Sequence, residues 1–172
     1  MAAGATYEPI ATQTLGSATS TITFSSIPNS WTDLRLVFVA TASTGTNALV
    51  RFNSDSGNNY SRTYLYGTGS TAASGRQTNV DSINITQYTN ISQNAGVPSL
   101  RTLDIFSYAG STFKTGLHTE IADQNSAGFD SVLYCVDLWR STSAITSLSI
   151  LTGGAATFSI GTTATLYGIK NA

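Results

Sequence analysis

Asp33-Leu34-Arg35-Leu36-Val37-Phe38-Val39-Ala40 sends Leu34, Leu36 and Phe38 to one side and Arg35, Val37 and Val39 to the other once the chain is extended, because successive strand side chains point to opposite faces. Both sides are largely apolar, so the stretch reads as a central strand covered on much of both faces. Upstream, residues 19–24 put Ile22 and Phe24 on one face and threonines on the other, and Ile27-Pro28-Asn29-Ser30 then breaks the run. Downstream, runs of the same character occupy residues 49–53, 60–66, 80–88, 100–108, 114–123, 131–139, 145–151 and 165–170. Short strands with Gly, Asn and Ser clusters between them, and no amphipathic stretch long enough for a crossover helix, predict an all-β protein. The expected architecture is a single-domain antiparallel β-sandwich, jelly-roll-like, over residues 15–172. The segment 1–14 has no evident strand partner and is expected to be an N-terminal arm. Residues 41–47, 53–59 and 67–79 are small and polar and are expected as surface loops, the last resembling a flexible linker.

Composition narrows the function classes. Only 10% of the 172 residues are charged and the net charge is −1, whereas 23 Ser and 27 Thr supply neutral hydroxyls. No basic run exists to displace counterions from a phosphate backbone, which argues against a nucleic-acid partner. The most apolar stretch, residues 36–40, is far short of the ~20 residues of a membrane-spanning helix, so no membrane partner is expected. The N-terminus has neither a basic start nor a long apolar core, the pattern of a chain made in a cytoplasm.

Residues with catalytic or ligand chemistry are few. His118 and Glu120 lie two apart on a predicted strand and so share a face, but there is no second histidine to complete a zinc set. Cys135 cannot form an internal disulfide and sits in the apolar run Val132-Leu133-Tyr134-Cys135-Val136, the setting of a buried, inert thiol. Asn53-Ser54-Asp55-Ser56-Gly57-Asn58 has oxygens at alternate positions, yet its glycine falls one place early for a calcium loop and no glutamate closes it, so turn chemistry explains it better. Neither a Gly-x-Ser-x-Gly elbow nor a phosphate-cradling glycine loop occurs, and no facing carboxylate pair for glycoside hydrolysis can be placed. The expectation is a non-enzyme without cofactor or metal. Tyr60, Tyr64 and Tyr66 share a face by parity, and with Trp31 and Trp139 they line either a core edge or a recognition surface.

Four stretches carry a resemblance: residues 22–28 leading into 31–37, residues 52–60, residues 138–145 and residues 164–170. Together, from about Tyr7 to Lys170, they resemble tailed-bacteriophage virion proteins, common among phages of cyanobacteria and other bacteria, that carry β-sandwich domains on the particle surface. The resemblance implies a head decoration (cement) protein or, alternatively, a receptor-binding domain of a tail fibre or tailspike that recognises host surface glycans; it implies no catalytic residues. A chain that starts at Met1 and ends just past its last strand motif is expected to be a whole small protein, which favours decoration. The implied partners are the major capsid protein and further copies of the chain, as a homotrimer, on the outer surface of the head. Tyr7 and Ile10 of the arm, with Trp31, Tyr60 and Tyr64, are the expected capsid or subunit contacts.

Overall fold

A computed structural model describes residues 6–94, 96–123, 125 and 130–170. Twelve strands follow one another: β1 (Tyr7–Thr14), β2 (Thr21–Phe24), β3 (Asp33–Ala40), β4 (Ala48–Phe52), β5 (Tyr60–Gly67), β6 (Ala72–Val80), β7 (Ile83–Asn84), β8 (Ser99–Ile105), β9 (Lys114–Ala122), β10 (Ser131–Trp139), β11 (Leu148–Thr152) and β12 (Thr163–Ile169). They form an eight-stranded sheet in the order β1-β12-β3-β8-β9-β10-β5-β6 and a four-stranded sheet in the order β2-β11-β4-β7. Every pairing is antiparallel.

Period-two patterning explains the packing. Leu34, Leu36 and Phe38 of β3, Leu103 and Ile105 of β8, and Ala164 and Leu166 of β12 point inward from the large sheet. Ile22 and Phe24 of β2, Val50 and Phe52 of β4, and Leu148 and Ile150 of β11 meet them from the small one. All are buried in one continuous hydrophobic core. The protein is thus an antiparallel β-sandwich, divided eight strands against four rather than evenly.

The division has a consequence for function. Four short strands cannot cover eight long ones, so loop residues 85–92 lie over the inner face beyond the small sheet. Arg101 of β8, fully buried, donates from Nη2 to Thr89 O and from Nη1 to Ile121 O, both at 3.0 Å. Glu120 of β9 accepts from the Tyr88 and Thr89 backbone N–H groups. The two side chains fasten the loop to the sheet by satisfying its backbone, which a purely apolar contact would not do.

Three expectations need correction. The segment expected as a partnerless arm is, from Tyr7 onward, strand β1 at the edge of the large sheet, registered against β12 from Tyr7↔Ile169 to Thr14↔Thr163; residues 1–5 lie outside the described residues. Its partner stands some 150 positions away, where no local pattern reveals it. The linker-like loop 67–79 contains edge strand β6, which pairs with β5 and needs only that one ladder. The run 80–88 holds only the two-residue strand β7 before the chain turns away to form the covering loop.

Candidate functional site

Inside the sandwich, the strand register brings together residues that the sequence keeps apart. His118 on β9 lies directly across from Cys135 on β10, and Asp137 follows two places on, facing the same way. The His118 ring and Asp137 carboxylate are buried and meet Nδ1 to Oδ2 at 2.5 Å, while the Cys135 thiol donates to Asp137 Oδ1 at 3.7 Å. Arg62 stands across from Asp137 on β5 and donates instead to Gln77 Oε1. The Cys135, His118 and Asp137 ligand atoms lie within 4.8 Å of one another. Two ligands of a tetrahedral zinc, each ~2.0–2.1 Å from the metal, stand roughly 3.3 Å apart, so the 2.5 Å His118–Asp137 contact is closed on a proton and not spread around an ion.

The cluster is equally unsuited to nucleophilic chemistry. Burial, reinforced by the Asp137 charge, pushes the Cys135 thiol well above its ordinary range, whereas a reactive cysteine needs a thiolate. Glu120 does not join His118 although both face inward as parity required; it lies 3.8 Å from Arg101, and burial holds its pKa above the usual carboxylate range despite that partner. Burial also lowers Arg101 to about 10. The loop at Asn53 to Asn58 is a turn: Asp55 accepts from Gly57 N, from Asn59 Nδ2 and from Trp139 Nε1, which uses its carboxylate to anchor β10.

The residues expected at a partner contact scatter. Tyr60 is fully buried, its hydroxyl accepting from Phe52 N and donating to Asp55 O, so it belongs to the core and is withdrawn as a contact. Ile10 packs against the core from the edge strand. Trp31 lies over Gly168 with Lys170 Nζ 5.0 Å from its ring centre. Tyr64 covers Gly75 of β6, and its neighbour Tyr66 stacks on Tyr88 at 3.9 Å, tying the covering loop down. Tyr7 remains exposed and stacks on Tyr167 at 4.7 Å.

What sequence reading missed is the outer face of the large sheet. Here Leu65 of β5 (59% exposed), Ile121 of β9 (46%), and Val132 (47%), Tyr134 (52%) and Val136 (52%) of β10 stand in solvent. The register makes them contiguous: Leu65 opposes Tyr134, and Val132 opposes Ile121, which opposes Leu100. A groove of about 260 Å³ runs between Leu65, Thr63, Tyr134, Val136 and Leu117. Farther across the face come Thr119, Thr102, Val37 and Thr165, and the ionic pair Arg35–Asp104, joined by two hydrogen bonds of 2.7 and 2.8 Å. An apolar patch on the order of several hundred Å² is comparable to the largest patch on a typical folded monomer. The signal was present in the unbroken apolar run around Cys135, which one buried face alone does not require.

No protein-family model matches the chain, and no curated protein matches it.

Proposed function

We propose that this chain is a non-enzymatic structural protein of a phage virion, a decoration (cement) protein that sits on the outer surface of the head, binds the major capsid protein and assembles as a homotrimer, without cofactor. The observation that supports this most is the uncovered, nearly uncharged outer face of the eight-stranded sheet, carrying Leu65, Ile121, Val132, Tyr134 and Val136. Such a face suits protein contact, while the one His–Cys–Asp grouping among the described residues is buried.

The physics of decoration suits this build. Each copy adds a modest buried area across neighbouring subunits, and many such contacts on one lattice sum by multivalency. Rigidity serves that role, and here it comes from long antiparallel ladders and a continuous core. The four stretches that resemble phage surface domains point the same way.

Antibody–gold labelling of the parent particle tests the reading. Label over the whole head is the expected result. Label confined to tail fibres would transfer the chain to host recognition, and unlabelled particles would overturn the virion assignment.

A further inference from the structure

We infer that the polar part of the sandwich interior, between the β8–β9–β10–β5 inner face and the covering loop, binds ordered water, with the His118 imidazole as one of its protein partners. The inference concerns the interior alone and stands apart from the virion reading.

Register builds the site. Arg101 of β8 pairs with Glu120 of β9, His118 two places away pairs with Cys135 of β10, and Asp137 two places further pairs with Arg62 of β5. Loop residues 85–92 close over these side chains through bonds to Glu120 and Arg101. Among the described residues, four buried side-chain atoms make no hydrogen bond within the protein: Arg62 Nη1, Gln87 Oε1, Arg101 Nε and His118 Nε2. His118 and Arg101 are fully buried, and Arg62 is 8% exposed. All four atoms belong to this layer or to the loop upon it, and none to the apolar part of the core.

Such atoms need partners. A buried polar group left unpaired costs about 1–3 kcal/mol, and native proteins keep these groups bonded to protein or to bound water. The four are mixed in kind. Arg62 Nη1 and Arg101 Nε can only donate, and Gln87 Oε1 can only accept. With the Nδ1 proton of His118 assigned to the Asp137 contact, Nε2 presents a lone pair. Two donor groups beside two acceptor atoms match a molecule that both donates and accepts. The layer also sets two guanidinium groups, of Arg62 and Arg101, against two carboxylates, of Glu120 and Asp137, so it offers no excess of either sign to an ion. Water meets both conditions. A chain of 172 residues ordinarily holds about six buried waters, each with about three hydrogen bonds, so this layer calls for no unusual hydration.

A high-resolution crystal structure of the full chain tests this. Water density about 2.7–3.2 Å from His118 Nε2 is expected, with further water at hydrogen-bond distance from Arg62 Nη1, Arg101 Nε or Gln87 Oε1. Ordered side chains with no density beside Nε2, or Nε2 bonded to another protein atom, would overturn the inference. So would a peak there with the anomalous scattering of a metal or halide. Oxygen-17 relaxation dispersion of water reads the same site in solution. His118→Phe keeps an aromatic ring and removes both nitrogens, and it is expected to lose part of the slowly exchanging water signal of the wild type. Far-UV circular dichroism checks its folding, and Gln87→Leu in the covering loop serves should His118→Phe not fold. A signal that neither variant reduces would overturn the assignment.

Discussion

Gly168 on β12 lies flat beneath the indole of Trp31: a Cβ built on Gly168 would stand 2.2 Å from the ring. Trp31 sits in the chain leading into β3, so this contact closes the end of the sandwich where β3 and β12 pair. Gly168→Ala forces the indole away and is expected to cost about 1–3 kcal/mol, the usual range for overpacking a filled site. Gly16→Ala, where a Cβ meets nothing within 4 Å, is expected to change stability little. Urea denaturation of both variants checks this, and equal midpoints would contradict it.

Asp137 accepts from His118 and Cys135 in a setting with no solvent access to any of the three. Asp137→Ala strands the imidazole and the thiol together, and removing one member of a buried polar pair typically costs about 3–5 kcal/mol. A drop of that size in unfolding free energy is expected. A loss below about 1 kcal/mol, within the range of ordinary surface changes, would show that the cluster carries no structural role.

The thiol itself gives an independent check. Burial and Asp137 both raise its pKa, so Cys135 is expected to resist a thiol-reactive reagent in the native protein and to react stoichiometrically in denaturant. Fast modification of the folded protein at neutral pH would contradict the sealed cluster.

Tyr60 sets an alkaline limit. Burial raises its phenol from 10.0 to about 12, so between these values the folded protein holds a proton that the unfolded chain has released. Its contribution is therefore complete below pH 10 and is lost as pH rises towards 12, by at most about 3 kcal/mol. Tyr60→Phe is expected to flatten the fall in stability between pH 9.5 and 11.5 relative to wild type. Parallel curves for the two proteins would contradict this.

Strand β1 makes deletion of residues 1–14 a structural change and not the simple removal of an arm. The deletion uncovers the β12 backbone ladder and the Tyr167 ring that Tyr7 stacks upon. A lowered melting temperature and greater aggregation are expected, since an exposed strand edge recruits other chains. An unchanged melting temperature would mean that β1 contributes nothing to the sandwich.

How far the fold was legible follows from range. The central strands were readable because alternation is local: Asp33–Ala40 and Ser131–Trp139 occupy the predicted positions. Edge strands β1 and β6 were not, because each has one neighbour and little apolar content, so pairing fixes them where pattern cannot. The His118–Asp137 contact depended on the β9–β10 register, which no spacing encodes. Tyr60 was singled out as an aromatic on a strand, yet aromatic content alone does not say which face is covered. The outer face had a signal in Val132, Tyr134 and Val136, but three apolar residues alternating with Leu133 and Cys135 look like a strand buried on both sides. Only the two-layer architecture, with the second sheet on the inner side and Val132, Tyr134 and Val136 left exposed on the other, shows that one of those sides is bare.

The most direct test of the account is a cryo-electron microscopy reconstruction of the parent phage head. The account predicts sandwich-shaped density on the outer surface of the shell, in contact with the major capsid protein. A shell without that density, or the chain located only at the tail, would contradict it.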